Sequence, residues 1–129
     1  MTAREQLRVL VVDDQDSMRQ LLCAGLRNLG IQHIHTAADG VEALAKLRAR
    51  TIDLVLLDGE MPRMGGFETL TAMRSDAVLS KVRVIMVTGR ADTDFVQRTA
   101  KLGIDGYLVK PVTTVMLGAR IDAAARALG

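Results

Sequence analysis

The sequence predicts an α/β fold, in which a doubly wound parallel β-sheet carries helices on both of its faces. Five short runs of aliphatic and β-branched residues alternate with five longer amphipathic stretches along the 129 residues. The short runs are apolar at nearly every position, as in strands that are buried on both faces. Because right-handed crossovers return each helix to the sheet, this alternation indicates parallel strands between two helical layers.

The first two strand–helix units fill the first part of the chain. RVLVVD at 8–13 is a continuous apolar run that ends in an acid, which predicts a buried strand. Apolar residues recur at helical spacing over 16–29 and predict the first helix. HIHTA at 33–37 is a weaker strand pattern, and a second amphipathic helix follows it over about 39–48.

The other three units repeat this organisation. IDLVLLD at 52–58 is the most hydrophobic strand, and a Gly-Gly pair leads from it into a helix over about 67–75. RVIMVT at 83–88 predicts the fourth strand, which a helix over about 93–102 follows. The last unit is a strand and a helix, at 105–110 and about 113–128. No linker or repeat separates the units, so we expect a single domain over 1–129 without an output domain.

Residues at the ends of the helices favour the same bounds. Gly30 and Gly103 stand where two of the helices should stop, because glycine readily adopts the backbone conformation of a helix terminus. Asp39 followed by Glu42 resembles a capping box at the start of the second helix. Asp16 is interpreted in the same way, as a cap of the first helix.

Composition restricts the classes of function. Lys+Arg 17 against Asp+Glu 15 gives a net charge of +2 without any basic run, so binding to nucleic acid has little support. The single cysteine excludes an internal disulfide and is typical of a reducing compartment. No apolar run approaches the roughly 20 residues of a membrane span, and a signal-peptide core is missing. We therefore expect a cytoplasmic domain that neither binds nucleic acid nor enters a membrane.

Polar residues stand at the carboxyl ends of four predicted strands. The first strand ends in Asp13 and Asp14, the third in Asp58, the fourth in Thr88 and the fifth in Lys110. In open α/β sheets the ligand site lies beyond these strand ends, so the five side chains should converge on one crevice.

This set of groups suits phosphoryl transfer. Three crowded carboxylates repel one another unless a cation shares the site, and Mg²⁺ prefers such oxygen ligands. A carboxylate beside Mg²⁺ can act as a nucleophile and form an acyl phosphate. The ammonium of Lys110 can neutralise charge on the phosphoryl oxygens, while the hydroxyl of Thr88 and the backbone N–H groups of Gly59 and Glu60 can donate hydrogen bonds to them.

Four sequence motifs together resemble the receiver domain of two-component response regulators. They are VVDD at 11–14, LLDGEMP at 56–62, MVTG at 86–89 and GYLVKP at 106–111. The resemblance extends along the whole chain, and in length it is greatest to the single-domain chemotaxis members of the family. It implies a flavodoxin-like (βα)5 fold with the strand order 2-1-3-4-5.

The same resemblance assigns roles to individual residues. Asp58 would be the phosphoacceptor, and Mg²⁺ would be bound by Asp13, Asp14, Asp58 and the backbone carbonyl of Glu60. Thr88, Lys110 and Tyr107 would contact the phosphoryl group or move in the switch that follows phosphorylation. The peptide bond before Pro111 would be cis. A half-buried strand tyrosine is the alternative interpretation of Tyr107.

The function that the resemblance implies is signalling by a stand-alone, monomeric receiver. A sensor histidine kinase would phosphorylate Asp58, and the domain would catalyse only its own phosphorylation and dephosphorylation. Phosphorylation would favour one of two states and change the surface formed by the helix 93–102, the strand 105–110 and the helix 113–128. A downstream protein, such as a flagellar motor switch, would bind that surface.

Two positions beside the phosphoacceptor depart from the family pattern. Members similar to the chemotaxis regulators often carry Asn at the place of Glu60 and an acid at the place of Arg90. Here an acid and a base stand at these positions, where both would flank the acyl phosphate. Our hypothesis is that Glu60 and Arg90 form an ion pair across the mouth of the site and tune the lifetime of the phosphoryl group.

Other functions remain as alternatives at this point. A receiver could serve as a phosphate sink or relay without a dedicated output partner. A flavodoxin-like electron carrier would need a phosphate-binding loop after the first strand, where this chain has the acidic DDQDSM. An Asp-dependent phosphatase is the third alternative, since Asp14 and Asp16 have the D-x-D spacing, although the chain is short for the usual cap.

Overall fold

The computed structural model describes residues 3–128, which form a five-stranded parallel sheet with helices on both faces. The strands are β1 Arg8–Val12, β2 His33–Ala37, β3 Leu54–Leu57, β4 Arg83–Thr88 and β5 Gly106–Val109. Their order in the sheet is β2-β1-β3-β4-β5, and each neighbouring pair is parallel. The predicted α/β fold and its strand order are therefore confirmed.

Five α-helices connect and follow these strands. They are α1 Asp16–Asn28, α2 Gly40–Ala49, α3 Gly66–Arg74, α4 Thr93–Leu102 and α5 Thr114–Ala127. A short 3-10 turn at Arg4–Gln6 precedes β1 and was not predicted. None of the helices described between residues 3 and 128 is long and apolar enough to cross a bilayer.

The sheet separates two hydrophobic cores. One core packs α1 and α5 against one face of the sheet, and the other packs α2, α3 and α4 against the opposite face. Every residue of β3 is buried, as are four of the five residues of β1. A strand packed on both faces has little freedom to move, so the central strands hold the residues at their carboxyl ends in fixed positions.

The caps of the first two helices differ from their predictions in part. The Asp39 carboxylate accepts a hydrogen bond from the Glu42 N–H at 2.9 Å, as a cap should. The Glu42 carboxylate accepts from the Ala38 N–H at 3.3 Å, one residue before the cap itself. The prediction for Asp16 is wrong: Gln15 occupies the cap position, and Asp16 is the first helical residue.

The geometry of the preceding loop explains the displaced cap. The Gln15 N–H donates to the Asp13 carboxylate at 2.9 Å, which leaves Gln15 with extended backbone at the start of α1. The Asp16 carboxylate instead forms an ion pair with Arg19, one turn into the helix. The two predicted stops are present, since Gly30 and Gly103 have φ angles of 87° and 95°.

Candidate functional site at the carboxyl end of the sheet

Three acids lie together beyond β1 and β3. Val12 pairs with Leu57 in the ladder, so the residues that follow them, Asp13 and Asp58, lie side by side. Asp14 comes next in the chain, and oxygen atoms of the three carboxylates lie within 4.8 Å of one another. Asp13 and Asp58 are buried, whereas Asp14 is exposed. The convergence predicted from the strand ends is therefore present.

Lys110 reaches this acidic group from the end of β5. Its Nζ atom lies 2.7 Å from Asp13 Oδ2 and 3.6 Å from Asp58 Oδ2. The backbone supports this reach, because the Lys110 N–H donates to the Thr88 carbonyl at 2.9 Å and so continues the β4–β5 pairing beyond the strand. The ammonium is hydrogen-bonded to Asp13 and stands close to Asp58 without contacting it as tightly.

The electrostatics of Asp58 differ from those of an ordinary carboxyl. Burial raises its pKa, and the neighbouring Asp13 charge raises it further. The Lys110 ammonium, the Thr88 hydroxyl and the Glu60 backbone N–H act in the opposite direction. The net direction is upward, so the site disfavours the ionised form of Asp58. An added positive charge would stabilise that form.

A glycine at position 66 allows the chain to return close to Asp58. A Cβ atom on Gly66 would lie only 2.2 Å from the Asp58 carbonyl oxygen. Gly66 is the first residue of α3, and its N–H donates to the Gly59 carbonyl at 3.0 Å. Any larger residue at position 66 would push α3 away from the loop. This explains why the second residue of the Gly-Gly pair, Gly66, is a glycine.

Thr88 and Tyr107 are connected through the loop that follows β4. Thr88 is buried, and its Oγ1 accepts a hydrogen bond from the Arg90 N–H at 3.3 Å. The Tyr107 hydroxyl, from β5, donates to the Arg90 carbonyl at 2.7 Å. In the turn after β5 the peptide bond between Lys110 and Pro111 is cis.

The side chain of Arg90 has three neighbours at the mouth of the site. Its Nε lies 3.5 Å from Glu60 Oε1, which is the pair that the sequence suggested. Its shortest contacts are with Asp92, to which Nε and Nη2 donate at 3.0 and 3.1 Å. Its guanidinium also lies over the Phe95 ring, 4.1 Å from the centroid.

Asp92 was missed in the sequence analysis, although a signal for it exists. It stands at the N-cap of α4 and accepts from the Phe95 N–H at 3.1 Å. An acid immediately before an amphipathic run is a familiar capping pattern. Its pairing with Arg90, two residues earlier, could not be recognised without the path of the loop.

These groups line one open cleft of about 710 Å³. Its lining includes Asp14, Asp58, Glu60, Thr88, Arg90 and Lys110. The donor set fits Mg²⁺, because three carboxylates within mutual reach are the hard oxygen ligands that this ion prefers. Asp13, Asp14 and Asp58 would hold the ion, and Glu60 lies in the same cleft. In such a site Mg²⁺ supplies positive charge beside a phosphoryl group.

A five-stranded parallel sheet in this order with an acidic cleft at the carboxyl ends is the arrangement of a receiver domain. The family description that matches the chain is the response regulator receiver domain, over residues 9–122. The chain therefore belongs to the response regulator receiver family. Proteins of this family are not true enzymes, and receiver domains partner with histidine kinases.

Curated relatives come from chemotaxis systems. The chain is 37% identical over 116 residues to the chemotaxis protein CheY of Pseudomonas aeruginosa, covering 90% of this chain and 94% of that protein. It is 35% identical over 118 residues to the chemotaxis protein CheY-3 of Vibrio cholerae, covering 92% and 91% of the two chains.

Solved structures agree with the fold. The structure of CheY4 from Vibrio cholerae has a TM-score of 0.84 and 34% identity, and the match covers 92% of this chain and 98% of that chain. The CheY in a complex with CheX, BeF3 and Mg from Borrelia burgdorferi has a TM-score of 0.87 and 30% identity, with 93% and 90% covered.

Proposed function

We propose that a histidine kinase phosphorylates this protein on Asp58 in a reaction that requires Mg²⁺. The observation that carries the proposal is the position of the Asp58 carboxylate. It lies in an open cleft, with one oxygen of Asp13 and of Asp14 within 4.8 Å and with Lys110 Nζ at 3.6 Å. In the transfer, an Asp58 oxygen forms a bond to phosphorus while the bond from phosphorus to the kinase's histidine nitrogen breaks.

The residues of the cleft account for the chemistry of this step. The Lys110 ammonium is hydrogen-bonded to Asp13 and stands close enough to Asp58 to contact a phosphoryl oxygen there. The Thr88 hydroxyl accepts a long hydrogen bond from the Arg90 N–H at 3.3 Å. It also acts on Asp58 already, lowering the pKa of that carboxyl, and is therefore placed to donate to a phosphoryl group there. Charge-assisted hydrogen bonds of this kind are among the strongest polar contacts in proteins.

We propose that the signal leaves the site through Thr88, Arg90 and Tyr107. Thr88 and Tyr107 both hydrogen-bond to the backbone of Arg90, at 3.3 and 2.7 Å. A Thr88 hydroxyl that turns toward a phosphoryl group releases the Arg90 N–H and alters the loop that holds Tyr107. The surface of α4, β5 and α5 then changes, because the phosphorylated form favours one of two states.

Phosphotransfer tests the assignment of Asp58. The wild type, Asp58→Asn and the control Asp94→Asn are incubated with acetyl phosphate and Mg²⁺. We expect an acid-stable, base-labile adduct on the wild type and on Asp94→Asn, and none on Asp58→Asn. Asp94 is an exposed acid on α4 outside the cleft, so it controls for the loss of one charge. Labelling that persists in Asp58→Asn would refute the assignment.

We propose further that the protein acts in the cytoplasm, as a monomer, within a chemotaxis pathway. The support is the 35–37% identity to chemotaxis relatives. A flagellar motor switch is the output partner we expect, and a phosphate sink without such a partner is the second candidate. A pull-down with purified motor-switch protein, with and without beryllofluoride and Mg²⁺, separates them. Capture only in the presence of beryllofluoride supports an output partner, and no capture in either case favours the sink.

The pair of Glu60 and Arg90 is proposed to tune the lifetime of the phosphoryl group. Both side chains line the cleft, and the 3.5 Å contact joins the β3–α3 loop to the β4–α4 loop above Asp58. An exposed ion pair contributes only about 0–1 kcal/mol to stability, so its effect should be kinetic. Exchange of the two residues for Asn and Glu should change the rate of dephosphorylation, and an unchanged rate constant would contradict this role.

A further inference from the structure

Two acids from different loops share the guanidinium of Arg90. Asp92, in the β4–α4 loop, takes two hydrogen bonds from it at 3.0 and 3.1 Å. Glu60, in the β3–α3 loop, lies 3.5 Å from Nε. The guanidinium also lies over the Phe95 ring, 4.1 Å from the ring centroid.

The contact with Asp92 is the stronger of the two. It is bidentate, whereas the contact with Glu60 is a single approach at a longer distance. The hydrogen bonds from Arg90 are also the first cause that lowers the pKa of Asp92, ahead of the cap bond from the Phe95 N–H. Bidentate pairs between arginine and a carboxylate are strong and directional, so Asp92 determines where the guanidinium rests.

The resting position of Arg90 affects access to the cleft. Glu60 and Arg90 both line the opening above Asp58. The guanidinium is hydrogen-bonded to Asp92 and lies 3.5 Å from Glu60, so a shift further toward Glu60 would narrow the opening between the two loops. Hydrolysis of an acyl phosphate requires a water molecule to reach phosphorus through this opening. Its oxygen bonds to phosphorus, the bond from phosphorus to the Asp58 oxygen breaks, and inorganic phosphate leaves.

We propose that Asp92 is a positioning residue that keeps Arg90 from closing further onto Glu60 and so keeps the opening accessible to the hydrolytic water. This inference rests on the proposed phosphorylation of Asp58 and names a residue that regulates its reversal. Asp92 acts through Arg90 and does not itself line the cleft. Its cap bond to the Phe95 N–H also fixes the start of α4, so the same carboxylate anchors both the loop and the side chain.

The experiment separates the charge of Asp92 from its capping role. Asp92→Asn and Asp92→Ser both keep a side-chain oxygen for the cap bond but remove the charge that holds Arg90. Each protein is phosphorylated with acetyl phosphate and Mg²⁺, the donor is removed, and loss of label is followed. We expect both variants to lose the phosphoryl group more slowly, by about two- to fivefold, the range open to one exposed ion pair.

A second variant makes the test specific for the proposed geometry. In a Glu60→Gln background Arg90 has no carboxylate to move toward, so Asp92→Asn should no longer slow dephosphorylation. The matched control is Asp94→Asn, which removes the same charge from the first turn of α4 without touching Arg90. Asp94→Asn alone should have the rate of the wild type, and Asp94→Asn in the Glu60→Gln background should have the rate of Glu60→Gln.

Each outcome decides the inference. Slowing in Asp92→Asn and Asp92→Ser that disappears in the Glu60→Gln background supports it. Wild-type rates in both Asp92 variants overturn it, as does slowing that persists in the Glu60→Gln background, since the effect would then come from α4 itself. A labelled wild type with unchanged variants leaves the phosphoacceptor assignment intact. A wild type that takes no label on Asp58 overturns the proposed function and this inference together.

Discussion

Gly59, directly after Asp58, is tightly enclosed by two side chains of the site. A Cβ atom at this position would lie 2.9 Å from Phe95 Cε2 and 3.0 Å from Thr88 Oγ1. Phe95 is buried, so its ring has little room to move aside. Because Gly59 has no side chain, Thr88 and Phe95 can both approach the loop that follows Asp58.

We predict that Gly59→Ala destabilises the fold by about 1–3 kcal/mol, the usual cost of forcing extra atoms into a packed site. Gly89→Ala is the matched control in the neighbouring loop, since its Cβ would meet no atom within 4 Å. Urea denaturation of the two variants and the wild type measures the difference. Equal midpoints for Gly59→Ala and the wild type would contradict the packing described here.

At the scale of elements, the start of α2 is tied to the loop that follows β3. Asp39 caps α2 and also pairs with Arg63, whose Nε donates to it at 2.7 Å. The Gly40 N–H donates to the Met64 carbonyl at 3.0 Å. A Cβ on Gly40 would lie 2.0 Å from Thr69 Oγ1, so the helix approaches α3 as closely as glycine permits. One carboxylate thus connects α2 with the loop that carries Glu60.

This connection predicts a dependence of stability on pH. The Glu42 N–H and then Arg63 lower the pKa of Asp39 below its usual range. Protons therefore bind more tightly to the unfolded chain, so the stabilisation is complete above the ordinary carboxyl pKa of about 4 and is lost as pH falls through the lower folded value. Urea unfolding at about pH 6 and about pH 3 should show a smaller acid loss in Asp39→Asn than in the wild type.

The Asn variant is a suitable comparison because Asn also caps helices well. Asp39→Asn should therefore keep much of the stability of α2 near neutral pH, while Asp39→Ala should lose about 1 kcal/mol more. An acid loss that is identical in the wild type and in Asp39→Asn would show that other carboxyls carry the pH dependence.

A second tie between elements involves Arg74 at the end of α3. Its guanidinium donates to three backbone carbonyls, those of Ser80, Val82 and Gly103, at 2.8–3.1 Å. Ser80 and Val82 belong to the loop before β4, and Gly103 ends α4. Arg74 therefore connects α3, the loop before β4 and the end of α4 at the end of the sheet opposite the cleft.

At the scale of the whole molecule, the cleft places like charges together at the end of a rigid sheet. Asp13 and Asp58 are both buried, and Lys110 is the cation that contacts them. A bound divalent cation would relieve the remaining repulsion with Asp14 and would stabilise the folded chain. The stability of the fold should therefore be coupled to Mg²⁺ even without phosphorylation.

We predict that Mg²⁺ raises the free energy of unfolding by about 2.7 kcal/mol at a hundredfold excess over its Kd. Asp14→Asn should lose most of this increment, because it removes one proposed ligand while leaving the Lys110–Asp13 pair intact. Asp94→Asn, outside the cleft, should retain it. Thermal unfolding with and without Mg²⁺ measures the increment, and a wild type indifferent to Mg²⁺ would contradict the site.

Much of the architecture could be predicted because it depends on local patterns. The apolar run of 52–58 contains β3 Leu54–Leu57, and the helical spacing of 93–102 matches α4 Thr93–Leu102. β1 and β3 end one residue before Asp13 and Asp58, although the N–H groups of both acids still donate to the neighbouring strands, at 3.1 and 2.9 Å. The acids, Thr88 and Lys110 were located as well, since the end of a parallel strand is itself a position in space.

The elements, their parallel arrangement and the polar side chains at the strand ends follow from local sequence patterns. Which of those groups contact one another depends on how the chain packs. Lys110 bonds to Asp13 more closely than to Asp58, Arg90 is held mainly by Asp92, and Asp16 pairs with Arg19 where a cap was predicted. Periodicity specifies which face or end a residue occupies, because backbone geometry is regular. Partner choice among several charges within a few ångströms depends on loop paths and packing, which have no period in the sequence.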